Sequence, residues 1–185
     1  DAATRARPNL RILARTTVRS LILEGRRASG VRVRRDRGDT AFAAGEVILA
    51  AGALHSPAML LRAGIGPAAH LKSLGIEVTL DSPGVGRNLM EHPTVALGAH
   101  LARAARQPRG MGRHILIAWR YSSAQPGGTT GDMHVLAINR AGWHPLGRTL
   151  GSVICACNKS YSRGFVELRS AEPAEPCSTS TTGAG

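Results

Sequence analysis

The stretch from Glu46 to Gly64 constrains this chain most, because an apolar run leads there through small residues into a helical pattern. Residues 47–49 are consecutive apolar positions, which is typical of a β-strand that is covered on both faces. The small residues at 50–53 let a backbone approach a ligand closely. A helix is predicted to begin with a cap at Ser56 and to end at Gly64. Such a helix N-terminus suits a phosphate, although the same pattern is also typical of a plain connection.

Short alternating segments lie upstream of this stretch. Strands are predicted at residues 9–13, 16–23, 30–35 and 40–44. Within the third, Val31 and Val33 alternate with arginines and are expected to face inward. Gly25 and a polar turn at 36–39 separate these strands. The pattern predicts a run of hairpins, and therefore an antiparallel unit.

Downstream, a second helix is expected after Pro67 and is closed by Gly75, with a turn-rich loop at 81–86. Further strands are predicted at residues 76–80, 94–101, 114–121, 133–138, 151–157 and 164–169. The segments 114–121 and 133–138 are expected to pair, while 103–113 is expected to be a loop. The tail at 177–185 has no apolar periodicity and has a low-complexity character.

The charge of the chain raises the possibility of an anionic partner. The formal net charge is +12, yet only two of the 24 basic residues are lysines, and the arginines are scattered. Aromatic residues make up 3% of the chain, whereas proteins that bind single-stranded nucleic acid combine positive charge with aromatic side chains. We therefore expect no nucleic acid partner. A cofactor that contains phosphates would suit part of this charge.

Two other classes of protein are disfavoured by the sequence. No apolar run reaches the roughly 18 residues of a membrane span, and no secretory signal is recognisable. The three cysteines, Cys155, Cys157 and Cys177, match neither a disulfide framework nor the usual zinc spacing. We therefore expect a cytoplasmic protein without a metal site.

The region 45–93 resembles the second sequence signature of the glucose–methanol–choline (GMC) oxidoreductase family, in a form similar to choline dehydrogenase. The matching motifs are Gly52-Ala53-x-x-Ser56-Pro57-x-x-Leu60-Leu61-x-Ala63-Gly64-Ile65-Gly66-Pro67, Pro83-Gly84-Val85-Gly86-x-Asn88-Leu89 and His92-Pro93. Arg7-Pro8-Asn9-Leu10 upstream and the segment 162–173 downstream also fit. The chain departs from the family at Ala63, where Ser is usual, and at Met90-Glu91, where Gln-Asp is common.

The resemblance implies a Rossmann-like domain that binds FAD, and oxidation of an alcohol by hydride transfer to the flavin. It places the main chain near Val18 against the adenine and Ala51-Gly52 close to the adenosine side. Ser56 stands at the head of the signature, and Asn88 ends a loop that lines the cofactor cleft. The candidate cofactor-binding residues are therefore Val18, Ala51, Gly52, Ser56 and Asn88.

The resemblance also implies that parts of the enzyme are missing. No Gly-x-Gly-x-x-Gly turn is present, and Gly84 and Gly86 are interpreted as part of a turn. The family's catalytic His, with its second His or Asn, belongs to a C-terminal region that this chain does not reach. None of the seven histidines stands in a matching motif, so no catalytic residue is assigned. After about Pro176 the tail leaves the family pattern, which suggests a truncated or frame-shifted reading.

These observations predict an internal fragment of α/β to α+β class, with a partial FAD-binding domain and the start of an antiparallel-sheet substrate domain. The expected division is 1–93 for the FAD-binding part, 94–160 for the substrate region, 161–176 for the beginning of the C-terminal region, and 177–185 for an aberrant or disordered tail. The expected function is oxidation of the CH–OH group of a small-molecule alcohol. The alternatives are a basic protein that binds anions or nucleic acid, and a non-functional gene remnant.

Overall fold

The computed structural model describes residues 1–35, 38–108, 110–112, 115–142, 144–172 and 177–182. The helices are α1 (Ala2–Arg5), α2 (Gly52–Arg62) and α3 (Ala68–Ser73). The strands are β1 (Thr17–Glu24), β2 (Arg27–Arg35), β3 (Gly38–Ala43), β4 (Ile65–Gly66), β5 (Leu80–Asp81), β6 (Arg87–Leu89), β7 (Thr94–His100), β8 (Ile115–Tyr121), β9 (Met133–Ile138), β10 (Leu150–Cys157), β11 (Arg163–Leu168) and β12 (Cys177–Thr182). The chain divides into two units, 1–89 with 164–181, and 90–163 with residue 182 onward.

The first unit contains a three-stranded antiparallel sheet in the order β1-β2-β3. This confirms the predicted hairpins, and Gly25 forms the first turn with a φ of 59°. Val33 on β2 is only 2% exposed, because alternate residues of the strand turn toward the core as predicted. Of the predicted second turn, residues 36 and 37 lie outside the described part of the chain, and Gly38 and Asp39 already belong to β3.

Helix α2 begins earlier than predicted, at Gly52 rather than at Ser56. Ala51 is the N-cap, and its N–H donates a 3.0 Å hydrogen bond to Oγ of Ser56. Ser56 therefore lies more than one turn inside the helix and braces its first turn instead of capping it. Pro57 lies inside the helix, beyond its first turn; it donates no backbone hydrogen bond there, and its ring crowds the carbonyl four residues earlier, which is unfavourable in a helix. The predicted end is confirmed, since Gly64 follows the last turn with a φ of 78°.

Three predicted strands differ from the structure. Residues 46–51 and 9–13 form no strand, and the segment 76–80 is reduced to Leu80 and Asp81 in β5. A strand exists only where a neighbour accepts and donates its backbone hydrogen bonds, and no described residues pair with the first two segments. The apolar run at 47–49, whose pattern is typical of a strand covered on both faces, is not paired with any described residues, and Ile48 is 81% exposed.

The core of the first unit lies where the α2 and α3 helices meet the β6–β11–β12 sheet. Its buried members are Ala58, Leu61, Leu71 and Leu168, with Cys177 packed against them. Strand β12 adds to the edge of β11, so residues 177–182 have regular structure where a low-complexity tail was expected. The cause is pairing with β11, which supplies backbone partners that the tail's own sequence pattern does not reveal. Residues 173–176 and 183–185 lie outside the described part.

The second unit is built on a four-stranded antiparallel sheet in the order β7-β10-β9-β8. Leu97, Val153, Ala137 and Ile117 stand side by side across its four strands. The predicted pairing of 114–121 with 133–138 is confirmed over 115–121, while His114 lies outside the described residues. The predicted loop 103–113 includes a short 3-10 helix at Arg103–Ala105, and its residues 109 and 113 are not among those described.

The connection between β8 and β9 is fastened by Asp132, which is 1% exposed. One carboxylate oxygen accepts a 2.8 Å hydrogen bond from the backbone N–H of Ser123, and the other accepts a 2.6 Å bond from its hydroxyl. These hydrogen bonds hold the pKa of Asp132 below its ordinary value, because they favour the charged carboxylate.

Candidate functional site

One wall of the candidate site is formed by the first residues of strand β1. Among the described residues, this strand pairs with β2 alone. Val18 stands opposite Val33, and Ser20 stands opposite Arg32. Arg19 between them has no partner on β2 and forms a β-bulge. A bulge interrupts the ladder and re-aims a side chain, and bulges are frequent beside active sites. The outer edge of β1 therefore offers backbone hydrogen-bonding groups around Val18 and Arg19.

The opposite wall is one face of helix α2. The residues on this face are Ala51, His55, Met59 and Arg62, which are four, four and three positions apart. This spacing returns to the same side of a helix at each step, so the four residues form a stripe. At a rise of about 1.5 Å per residue, the stripe is about 16 Å long.

The stripe and the β1 edge enclose a cavity of about 420 Å³. Its lining residues are Thr17, Val18, Arg19, Ala51, His55, Met59 and Arg62. The volume lies within the range of about 300–1,000 Å³ that is usual for cofactor sites. The lining combines apolar surface with two guanidinium groups and one imidazole, so it suits a ligand that has both a flat apolar part and negative charge.

Positive charge also extends to the outer face of this sheet. Arg34 forms a 3.0 Å ion pair with Asp39. Its hydrogen bond is the largest cause of a lowered pKa at Asp39, and the charges of Arg19 and Arg32 lower the pKa further. The guanidinium of Arg19 is therefore close enough to act on groups of this sheet.

The structure places the five sequence-predicted cofactor residues differently. Val18 and Ala51 line the same cavity, and Gly52 follows Ala51 with a φ of 85°. Ser56 does not line the cavity but holds Ala51 through its hydroxyl. Asn88 lies in β6 with a φ of 60° and is not a lining residue. The roles of all five in binding FAD remain predictions.

Sequence reasoning missed five lining residues: Thr17, Arg19, His55, Met59 and Arg62. The spacing of the three on the helix would have indicated a common face if the helix had been predicted to begin at Gly52. The bulge at Arg19 has no such signal, because it depends on the register between β1 and β2.

Two further kinds of site were sought among the described residues. No group of three or more His, Cys, Asp or Glu side chains there could hold a metal ion. No helix in the same part of the chain is long and apolar enough to cross a membrane.

Solved structures identify the fold. A structure of formate oxidase from Aspergillus oryzae, determined to study modification of its FAD, superposes on 94% of this chain with a TM-score of 0.80. The sequence identity is 23%, and the match covers 40% of the formate oxidase chain. The mixed α/β fold class predicted from the sequence is thereby confirmed.

Sequence comparisons identify the family. The family model of the GMC oxidoreductases matches residues 2–94. The chain is 42% identical to 5-(hydroxymethyl)furfural oxidase of Methylovorus sp. over 94% of its own length. It is 49% identical to an oxygen-dependent choline dehydrogenase of Brucella anthropi over 46% of its length. The chain belongs to the GMC oxidoreductase family, as its motifs predicted.

The chain corresponds to part of these relatives only. It spans 32% of the furfural oxidase and, over the matching region, 16% of the choline dehydrogenase. The formate oxidase that shares this fold carries FAD, the cofactor that the family resemblance predicts for this chain. The activity of a whole protein that contains this chain is a matter for proposal.

Proposed function

We propose that this chain is part of an FAD-dependent oxidoreductase that oxidises the CH–OH group of a small-molecule alcohol. Within that enzyme, the chain's own contribution is to hold the adenosine half of FAD in the cavity between β1 and α2. The observation that supports this most strongly is the meeting of an open strand edge at Val18 with the α2 stripe across a cavity of about 420 Å³.

The residues of the cavity fit an adenosine diphosphate group. The backbone at the β1 edge can exchange hydrogen bonds with the donor and acceptor groups of an adenine. Met59 supplies apolar surface for the adenine ring, and the imidazole of His55 supplies a flat face on which that ring can stack. The free N–H groups at the start of α2, together with Arg19, suit a pyrophosphate.

The chemistry of alcohol oxidation divides between the cofactor and the protein. When bound, the flavin accepts the hydride from the carbinol carbon. A general base must take the hydroxyl proton, and the histidines of this chain match no catalytic motif of the family. The proposal therefore assigns binding of the cofactor to this chain and no proton transfer.

A cytoplasmic location is also part of the proposal. Cys155, Cys157 and Cys177 are all free thiols in the structure. Free thiols are usual where glutathione and thioredoxin keep cysteines reduced.

The test is to measure binding of ADP, FAD and FMN to the purified 185-residue chain by isothermal titration calorimetry. We expect ADP and FAD to bind with affinities within about twofold of each other, because the cavity holds only the part that they share. FMN lacks the adenosine and is expected not to bind. Binding of FMN, or no binding of ADP at millimolar concentration, would contradict the proposal.

A pair of variants on α2 provides the control. His55→Glu places a negative charge in the cavity, and we expect ADP affinity to fall about tenfold or more through repulsion of the phosphates. Leu54→Glu makes the same change at the neighbouring residue, which is exposed and does not line the cavity. ADP affinity of this control should stay within about twofold of the unaltered chain, because its charge is screened by water.

A further inference from the structure

Three sulfur-containing side chains share one face of the four-stranded sheet in the 90–163 unit. Cys155 and Cys157 are two positions apart on β10, and alternate residues of a strand point to the same face. In the register of β10 with β9, Met133 stands directly opposite Cys157, and such pairs share a face of the sheet. Two thiols and one thioether are therefore neighbours, although the segment 139–149 separates β9 from β10 in the chain.

The two cysteines are too far apart for a disulfide bond between them. At a rise of about 3.4 Å per residue along a strand, their Cβ atoms lie about 6.8 Å apart. A disulfide requires Cβ atoms about 3.5–4.5 Å apart. Both thiols are free in the structure, in agreement with this spacing. Both side chains are also partly exposed, so an ion from the solvent can reach them.

The same spacing fits a single ion held between the sulfur atoms. A thiolate sulfur lies about 2.3 Å from the metal in protein sites, so two sulfurs on one ion are up to about 4.6 Å apart. Each cysteine sulfur must lean toward the other by roughly 1 Å, which rotation about χ1 allows. The Cβ of Met133 is about 4.5–5.5 Å from that of Cys157, and its long flexible side chain can place the thioether beside the same ion.

The chemistry of the three ligands selects a soft ion. Thiolate and thioether ligands together favour Cu(I), whereas structural Zn²⁺ sites are completed by four ligands in a tetrahedron. Cys155 is flanked by Val95 and Val135 in the neighbouring strands. The remaining register partner of Met133 is Tyr121. These described neighbours supply no imidazole or carboxylate as a fourth ligand for zinc.

We propose that Cys155, Cys157 and Met133 form a binding site for one Cu(I) ion. The expectation of a protein without a metal site rested on the spacing of the cysteines, which does not suit zinc. It did not include Met133, because only the register between β9 and β10 brings this residue to the cysteines. The site goes beyond the proposed function, since it lies in the second unit and requires no flavin.

The first test measures Cu(I) affinity of the full chain by competition with a chromogenic Cu(I) chelator, without oxygen and with a reductant present. We expect one Cu(I) per chain, and Zn²⁺ bound at least about a hundredfold more weakly. X-ray absorption at the copper edge of the loaded chain should show sulfur neighbours and no nitrogen. Equal affinity for Zn²⁺, one ion shared between two chains, or nitrogen ligands would each overturn the site.

Matched cysteine variants separate this site from general binding by thiols. Cys155→Ser and Cys157→Ser should each lower Cu(I) affinity by at least about a hundredfold, because a hydroxyl is a hard and uncharged ligand. Cys177→Ser removes the third thiol, which belongs to β12, and should change the affinity by less than about threefold. Equal losses in Cys177→Ser and Cys157→Ser would refute the proposal.

A matched pair of methionine variants tests the third ligand. Met133→Leu keeps an apolar side chain of similar volume but removes the sulfur, and we expect Cu(I) affinity to fall about five- to tenfold. Met90→Leu makes the same change at a methionine that is 55% exposed, and its effect should stay within about twofold. Circular dichroism checks that every variant keeps its fold. Unchanged Cu(I) affinity in folded Met133→Leu would refute the arrangement of three sulfur ligands.

Discussion

Replacement of Gly64 by alanine is expected to destabilise the first unit for two separate reasons. The φ of Gly64 is 78°, a left-handed conformation that costs a residue with a side chain about 1–2 kcal/mol. The added Cβ would also collide with the backbone oxygen of Glu77 and lie 2.8 Å from Oγ1 of Thr79. Such overpacking costs about 1–3 kcal/mol more. We therefore expect Gly64→Ala to lower the free energy of unfolding by about 2–5 kcal/mol.

Two matched glycines separate these contributions. Gly52 has a φ of 85° but open space around its missing Cβ, so Gly52→Ala should lose only the conformational part, about 1–2 kcal/mol. Gly45 has open space and no left-handed backbone, so Gly45→Ala should be neutral or gain up to about 1 kcal/mol. Urea denaturation followed by circular dichroism measures all three. Equal losses for Gly64→Ala and Gly52→Ala would refute the collision with Glu77.

Three further predictions concern other parts of the chain. Leu61→Ala removes a side chain that is 1% exposed and should cost about 2–5 kcal/mol in urea denaturation, while Ile48→Ala at 81% exposure should change stability by less than about 0.5 kcal/mol. The folded pKa of Asp132 is lowered, so its contribution to stability is present above the unfolded pKa and is lost as the pH falls through the folded pKa. Asp132→Asn should therefore reduce the acid-induced loss of stability measured between pH 6 and pH 2. The purified chain should show no stoichiometric flavin absorbance and should not oxidise alcohols, and a visible spectrum with bound flavin would contradict this.

The elements that could be predicted from the sequence are those whose partners are close in the chain. The β1–β2 pair is joined by a turn at residues 25–26 and the β8–β9 pair by the connection 122–132. In both pairs the partner is the next strand in the chain, so the alternation of apolar residues and the intervening turn residues together predict the pairing. Strand β12 was missed because its serines and threonines show no apolar alternation. It is a strand because β11 supplies its backbone hydrogen-bonding partners. Local periodicity therefore predicts hairpins better than it predicts added edge strands.

The candidate site could be predicted only in part, for a related reason. Val18 and Ala51 were identified through motifs of the GMC family, and the structure brings them together in one cavity. His55 and Met59 were missed because the start of α2 was assigned from the capping preference of Ser56. The hydroxyl of Ser56 satisfies the N–H of Ala51 instead, so the residue braces the turn from within the helix. The Ser56 hydroxyl accepts a hydrogen bond from a backbone N–H, as a capping residue does, but that N–H belongs to Ala51 and not to a residue that follows Ser56 in the helix.

The unpaired apolar run at residues 47–49 indicates how this site would be completed in a longer protein of the family. Ile48 is 81% exposed, yet the run leads directly into Ala51, which lines the cavity. Consecutive apolar residues gain little as solvated coil and are stabilised when neighbouring strands cover both faces. Pairing on this run would also fix the backbone just before α2. We therefore expect cofactor affinity to depend on strands that pair with residues 47–49, although those strands need not touch the adenosine themselves.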